Sequence, residues 1–209
     1  MSRPPRPSWL YLVVGALSWP VVKVVFRHRA SGTEHVPRAG GLVLAANHWS
    51  NFDPWALAIP FFPKRFFRFM AKAELFWFPL GPIIRAGGAF EVRRGEQDEV
   101  AMATAVSLAR AGHAVVMFPE GTRRRKGIRK KHDARWRTGA ARIALEAGVP
   151  LVPAGIGGTE RLARLGPLRV EYGAPIEMGD LADLSTADAA RIATDRLSAS
   201  VGELERGLA

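Results

Sequence analysis

A histidine and an aspartate, His48 and Asp53, are separated by four residues directly after the apolar run 42–46. A carboxylate bonded to one imidazole nitrogen fixes the tautomer of the ring and stabilises the cation that forms when the other nitrogen takes a proton. The pair is therefore suited to general-base catalysis. The chain has no cysteine and no serine in a nucleophile-elbow sequence, so if His48 is a base we expect the nucleophile to belong to the substrate. Taken alone, the same spacing also fits a loop histidine before a helix that begins at Asp53-Pro54.

A second group of polar residues follows the apolar run 114–118. Gly121 permits a tight turn with exposed backbone N–H groups, Thr122 adds a hydroxyl, and Arg123 offers a guanidinium suited to phosphate. Glu120 would repel an anion, so we expect it to bond Arg123 or a substrate hydroxyl and hold the site in shape. Taken alone, this segment also fits a turn with a solvated arginine.

Positive charge dominates the chain and is concentrated in one segment. The formal net charge is +11 and the pI is about 11.1. Nine Lys or Arg residues and one Asp lie between Arg123 and Arg137, which gives that segment a net charge of +8. Arg93 and Arg94 form a smaller pair after the apolar run 89–92, where an edge strand with a charged tip is the alternative. Anionic partners are expected: lipid headgroups, phosphorylated metabolites or nucleic acid.

The elements that must position these residues follow from the hydrophobic pattern. Short apolar runs alternate with helical patterns, which predicts a single α/β domain with a mostly parallel or mixed central sheet flanked by helices. Strands are predicted at 42–46, 66–70, 89–92, 114–118, 151–156 and 168–172, and helices at 54–59, 96–111, 138–147 and 187–204. The chain has no cysteine, and its five histidines are scattered, so the sequence shows no clear metal-ligand cluster.

Residues 1–31 are predicted to be a membrane-associating segment, and residues 32–209 the catalytic or binding domain. The apolar run 9–19 is shorter than the roughly 20 residues that span a bilayer, and its two tryptophans and one tyrosine, preceded by arginines, favour an interfacial helix. A true span and a helix docked on the domain are the alternatives. Segments 61–69 and 76–78 mix aromatic residues with cations, which fits either core packing or a lipid-facing surface.

Taken together, four segments resemble the ordered blocks of the lysophosphatidic acid acyltransferase family, within the wider glycerolipid acyltransferase group. They are Asn-His-x4-Asp-Pro at 47–54, Gly-x-Phe-x-Val-x-Arg at 88–94, Phe-Pro-Glu-Gly-Thr-Arg at 118–123 and Val-Pro-Leu-Val-Pro at 149–153. The resemblance covers about 32–175 and implies the fold of glycerol-3-phosphate acyltransferases. The first and third blocks are specific in this order and spacing, whereas the second and fourth are less so.

The resemblance implies that His48 is a general base on the free hydroxyl of 1-acyl-sn-glycerol 3-phosphate, with Asp53 orienting its ring. The hydroxyl then attacks the thioester of acyl-CoA or acyl-carrier protein, and phosphatidic acid is formed for phospholipid synthesis. No acyl-enzyme forms in this scheme, in keeping with the missing enzyme nucleophile, and the scheme implies no metal or bound cofactor.

The same resemblance implies that Arg94, together with Gly121, Thr122 and Arg123, binds the glycerol phosphate, and that Glu120 positions substrate. The implied partners are an anionic lysophospholipid, the acyl donor and a membrane surface. The implied location is the cytoplasmic face of the cell membrane, with the protein peripheral or shallowly embedded.

The chain departs from the family pattern after the third block. Where a serine and a short connection are usual, an enlarged basic loop runs to Arg137. It could dock on an anionic membrane, contact the phosphates of CoA or bind an acidic carrier protein. It leaves open another lysophospholipid or an amino-lipid as acceptor, and a non-catalytic membrane-binding module is a weaker alternative. Nucleic-acid binding is not expected, because the run lies inside a site loop rather than in a nucleic-acid-binding motif.

Overall fold

A computed structural model describes residues 7–92, 98–121 and 136–208 of the chain. Within these ranges, seven strands form one sheet in the order β1-β7-β6-β2-β5-β3-β4. Neighbouring strands are parallel except for β6 and β7, which are antiparallel. The strands are β1 (Arg29–Ser31), β2 (Leu42–Ala46), β3 (Phe67–Lys72), β4 (Ala89–Val92), β5 (Ala114–Met117), β6 (Leu151–Gly157) and β7 (Arg169–Tyr172).

Helices cover both faces of the sheet. They are α1 (Trp9–Pro20), α2 (Asp53–Ala58), α3 (Leu80–Ala86), α4 (Asp98–Arg110), α5 (Gly139–Ala147) and α6 (Thr186–Gly207). Helices α4, α5 and α6 share one hydrophobic core with the sheet, whereas α2 packs into a second core on the other face. All five residues of β2 are fully buried, as expected for a central parallel strand covered on both sides. The predicted α/β fold with a mostly parallel, mixed sheet is confirmed.

Most of the predicted elements occur close to their predicted bounds. β2 and β4 coincide with the prediction, and β3 is shifted toward Lys72. Helix α6 begins after Ser185, whose hydroxyl accepts from the backbone N–H of Asp188 at 3.1 Å, and α5 ends at Gly148 with φ of +65°. A serine directly before a helix and a glycine directly after one are common helix boundaries.

Two short elements were missing from the prediction. β1 has three residues and lies at the sheet edge, so it carries no alternation of apolar and polar residues to detect. α3 contains Gly81 and Pro82 in its first turn, where proline is tolerated although both residues are usually signs of a loop.

The N-terminal segment forms α1, followed by a π-helical turn at Val21–Val25. Tyr11 is buried and packs edge-on against Phe66, with their ring centroids 4.8 Å apart, and Gly15 lies directly against the ring of Phe62. In the part of the chain described, none of the helices combines the length and apolar character needed to cross a bilayer. The interfacial role of α1 stays a prediction.

The two aromatic segments differ in their surroundings. In β3, Phe67 and Phe69 are buried in the core, as one reading of segment 61–69 proposed. In contrast, Trp77 is 59% exposed and Phe78 is 84% exposed. Only the second segment therefore offers a large aromatic surface to the outside.

Candidate active site

His48 and Asp53 contact each other directly at the carboxyl end of β2. His48 Nδ1 lies 2.7 Å from Asp53 Oδ2, and because a carboxylate can only accept, Nδ1 carries the proton. His48 Nε2 is then the basic nitrogen, and it has no hydrogen-bond partner within the described residues. The His48 side chain is 17% exposed, so the ring remains accessible. This geometry is the one a general base requires.

The same oxygen of Asp53 holds the loop in shape. Oδ2 also accepts from the backbone N–H of Trp49 at 2.7 Å and of Ser50 at 2.8 Å. Asp53 is fully buried at the start of α2, where the helix dipole favours a negative charge. Three donors and the helix N-terminus thus stabilise the charge at Oδ2, whereas Oδ1 is buried without a hydrogen-bond partner among the described residues.

Asn47, which precedes the histidine, joins β2 to β6. Its amide Nδ2 donates to the carbonyl of Ile156 and its Oδ1 accepts from the N–H of the same residue, both at 2.8 Å. The side chain therefore continues the backbone ladder one step beyond β2. Local sequence spacing does not predict this role, because the role depends on a residue more than a hundred positions away.

The crevice between β2 and β5 is the point where the chain changes direction across the sheet. The connection that leaves β2 forms α2 on one face, whereas the connection that leaves β5 leads to α5 on the other. In open α/β sheets, such a switch point at the carboxyl ends of the strands is the usual ligand site. His48 leaves β2 and Glu120 leaves β5, so the two polar groups predicted from the sequence flank this crevice.

Phe118 brings the two sides of the crevice into contact. Its ring stacks on the His48 imidazole with centroids 4.1 Å apart and an interplanar angle of 18°. One face of the His48 ring is therefore covered, and its plane is fixed by contacts from α2 and from the segment that follows β5. The sequence offers only an aromatic residue in the third block as a signal for this contact.

The Glu120–Gly121 turn is buried and tightly closed. Glu120 is only 7% exposed, and Gly121 has φ of +70°, which favours glycine. The N–H of Gly121 donates to the carbonyl of Phe118 at 3.0 Å. That amide is already engaged, so it is not available for a developing oxyanion.

Arg137 lies beside this turn. Its N–H donates to the carbonyl of Pro119, and a Cβ placed on Gly121 would meet its guanidinium Nε at 2.9 Å. Three predicted site residues, Arg94, Thr122 and Arg123, lie outside the described residues. Arg137, the last residue of the predicted basic loop, therefore brings a guanidinium to the Glu120–Gly121 turn.

The N-terminal segment packs against α2, the helix that begins with Asp53. The Trp55 indole N–H donates to the Ser18 hydroxyl at 3.1 Å, and His28 Nε2 lies 3.0 Å from the carbonyl of Ala56. Through these contacts, α1 and the turn after it support α2 and hence Asp53. Within the described ranges no group of three or more His, Asp or Glu side chains is placed to hold a metal ion.

Comparisons with known proteins identify relatives of this chain. Residues 27–157 match the family model described as Acyltransferase. A 1-acyl-sn-glycerol-3-phosphate acyltransferase of Bacillus subtilis (strain 168) is 30% identical over 181 residues, which cover 84% of this chain and 86% of that protein. A protein of the same name from Borreliella burgdorferi is 29% identical over 131 residues, which cover 59% of this chain and 48% of that protein. The crystal structure of PlsC, the 1-acyl-sn-glycerophosphate (LPA) acyltransferase of Thermotoga maritima, has the same fold, with a TM-score of 0.64 and 24% identity, and the match covers 93% of this chain and 78% of that one.

Proposed function

The chain belongs to the acyltransferase family and is an acyltransferase, and we propose that it acylates the free hydroxyl of 1-acyl-sn-glycerol 3-phosphate to give phosphatidic acid. The acyl donor in this proposal is a thioester, acyl-CoA or acyl-carrier protein. The names of the Bacillus and Borreliella relatives support the acceptor. The observation that carries the proposal is the 2.7 Å contact between His48 and Asp53 in the crevice that Glu120 and Arg137 border.

In the proposed reaction His48 is the general base. Its Nε2 takes the proton of the acceptor hydroxyl as the oxygen attacks the thioester carbonyl carbon. The tetrahedral intermediate then expels the thiolate, the carbon–sulfur bond breaks, and the imidazolium returns the proton to sulfur. Asp53 stabilises the imidazolium between these two steps and keeps Nδ1 protonated. The products are an ester and a free thiol.

The acceptor phosphate is proposed to bind on the β5 side of the crevice. Arg137 is exposed and lies against Gly121, and a guanidinium there can form paired hydrogen bonds to a phosphate. The sequence adds Arg123 and Thr122, and Arg94 from the second block, to the same group. Glu120, which is nearly buried, is proposed to hold the arginine cluster or the glycerol in position.

The acceptor is a lipid, so the protein is proposed to work at a membrane surface, on its cytoplasmic face. Large apolar side chains are exposed on α1 and the turn after it, and on the segment that leads into α3. They include Trp9, Leu17, Val24, Trp77 and Phe78. Such a surface suits shallow insertion among lipid headgroups, and the net charge of +11 favours anionic lipids.

The test is acyl transfer by the purified protein to a panel of lysolipids, with acyl-CoA and acyl-carrier protein as donors, followed by mass spectrometry of the products. We expect lysophosphatidate to be the preferred acceptor and the His48→Ala variant to lose about 99% or more of the rate. Preference for a lysolipid without a phosphomonoester would overturn the acceptor. Full activity of a correctly folded His48→Ala variant would overturn the mechanism.

A further inference from the structure

A cavity of about 310 Å³ opens at the carboxyl end of β6, outside the crevice that holds His48. Three arginines, Arg161, Arg164 and Arg169, line it together with Gly157 and Gly166. We call it the arginine pocket. A volume of this size suits a small polar ligand or one end of a larger one.

The charge of the arginine pocket is only partly neutralised. Arg161 Nε bonds Glu160 at 2.7 Å. Arg164 and Arg169 are exposed, and neither has a hydrogen-bond or ion-pair partner in the described part of the chain. Arg29 on β1 stands opposite Arg169 in the sheet register and adds to the positive field. Two guanidinium groups are therefore left to meet an anion from solution.

The backbone at the edge of this pocket is strained. Leu165, between two lining residues, has φ of +48°, and Arg27 has φ of +45°. They are the only non-glycine residues with positive φ in the described ranges, and they contact each other through the Arg27 guanidinium and the Leu165 carbonyl at 3.3 Å. Such conformations are costly for a leucine and concentrate at ligand-binding sites.

The position of the arginine pocket relative to His48 sets a minimum length for a ligand that reaches both. Gly157 follows Ile156, the residue that Asn47 holds against the end of β2. β6 lies on one side of β2 and β5 on the other, so the arginine pocket and the Glu120–Gly121 turn lie on opposite sides of His48. A ligand that reaches the arginine pocket while it reacts beside His48 must extend across at least one strand, which is about 4.8 Å wide.

We propose that the arginine pocket binds the phosphate of the phosphopantetheine arm of the thioester donor. This inference rests on the proposed function. The phosphate of the acceptor is only a few bonds from the hydroxyl that His48 must reach, so it has to stay at the crevice. In the donor, the whole pantetheine arm separates the thioester from its phosphate, which matches a cationic site displaced from the base. This arm is common to acyl-CoA and acyl-carrier protein.

Calorimetry of the full chain with CoA, 4′-phosphopantetheine and pantetheine tests the proposal without turnover. We expect the two phosphorylated probes to bind and pantetheine to bind much more weakly. Arg164→Ala and Arg169→Ala should each lower the affinity for CoA about tenfold or more. In acyl-transfer assays they should raise KM for the donor and leave KM for lysophosphatidate unchanged. Equal weakening of CoA and of 4′-phosphopantetheine binding by these variants would support the arm phosphate as the ligand, whereas weakening of CoA binding alone would assign the arginine pocket to the nucleotide and overturn the proposal.

A second pair of variants avoids the loss of an arginine. A Cβ at Gly166 meets no atom within 4 Å, so Gly166→Ala should bind CoA normally. Gly166→Glu places a carboxylate in the arginine pocket and should lower the affinity for CoA. Arg191→Ala is the matched charge control, because Arg191 lies on α6 with a 62% exposed side chain. Normal CoA binding by Arg164→Ala, Arg169→Ala and Gly166→Glu would overturn the proposal. A rise in KM for lysophosphatidate alone in these variants would overturn it too. Absence of acyl transfer by the wild-type protein, with arginine-dependent CoA binding intact, would overturn the proposed function and support the pocket.

Discussion

At the scale of single residues, one carboxylate oxygen of Asp53 has both a catalytic and a structural role. Oδ2 orients His48 and also closes the loop through the N–H groups of Trp49 and Ser50. Because the loop contacts do not need a negative charge, the two tasks can be separated by substitution. Catalysis needs the negative charge, because the His48 ring becomes positively charged when it takes a proton.

Asp53→Asn is expected to lower kcat about a hundredfold or more, because the amide oxygen can still accept from the loop but no longer stabilises the imidazolium. Steady-state kinetics and thermal denaturation measure the two effects. Ser50→Ala is the control in the same loop, since it removes only the hydroxyl that accepts from Phe52 at 3.2 Å and should keep a near wild-type rate. A fall in melting temperature without a fall in kcat would mean that Asp53 is structural.

A second histidine, His28, makes stability depend on pH. Burial and the positive charge of Lys23 lower the pKa of His28 to about 4. Between pH 4 and pH 6.5 the unfolded chain therefore binds a proton that the folded chain does not, and the free energy of unfolding decreases as the pH decreases. This residue is expected to remove about 2 kcal/mol between pH 7 and pH 5.

The measurement is urea denaturation of wild type and His28→Gln at both pH values. Glutamine can still donate to the carbonyl of Ala56 but does not titrate, so the variant should lose less stability on acidification. Burial also lowers the pKa of His113, which acts in the same direction in both proteins and cancels in the comparison. Equal pH dependence in the two proteins would exclude His28 as a source.

At the scale of elements, the junction of β2 and β6 depends on one side chain. Asn47→Ala leaves the buried N–H and carbonyl of Ile156 without partners and is expected to cost about 3 kcal/mol in the free energy of unfolding. Urea denaturation measures this cost. Asn51→Ala, an exposed asparagine in the following loop without a hydrogen bond in the described residues, should change stability little. If both variants are equally stable, the side chain does not hold the two strands together.

The elements also show what the sequence could reveal. Apolar runs such as 42–46, together with helical patterns, predicted most strands and helices, because burial leaves a local periodic pattern. The ends of α5 and α6 at Gly148 and Ser185 also depend on local residues. The pair His48–Asp53 was equally visible, since the two residues lie five positions apart, between the end of β2 and the start of α2.

The rest of the site could not be predicted from local patterns. Asn47, Phe118 and Arg137 act through contacts with other segments of the chain, so their spacing in the sequence carries no information about their partners. The arginine pocket was missed for a related reason: Arg161, Arg164 and Arg169 lie within nine positions of the sequence, but they border a cavity only because β7 pairs with β6 and brings Arg169 beside Gly157.

At the scale of the whole molecule, exposed apolar groups come from two distant parts of the chain, α1 and the segment before α3. Helices α1 and α3 contact each other, so the two groups of exposed apolar residues lie on neighbouring parts of the molecule. A basic protein with such a surface is expected to bind anionic vesicles through both insertion and charge.

Replacement of Trp77 and Phe78 by serine is expected to weaken binding to anionic vesicles about tenfold or more, because both rings are largely exposed and would lose their insertion into the bilayer. Vesicle sedimentation measures this effect. Val100→Ser, at a residue of α4 that is 66% exposed, is the control and should bind like wild type. Unchanged binding by the double variant would mean that this surface does not face the membrane.

The stack of Phe118 on His48 also gives the base a spectroscopic signature. An aromatic ring face about 4 Å from an imidazole shields the carbon-bound protons of that imidazole through its ring current, so the His48 resonances should be displaced upfield from those of the other four histidines. Within the described ranges, no other histidine stacks on an aromatic ring. Proton NMR could therefore follow protonation of this one residue, and loss of the displacement on ligand addition would reveal that the crevice has opened.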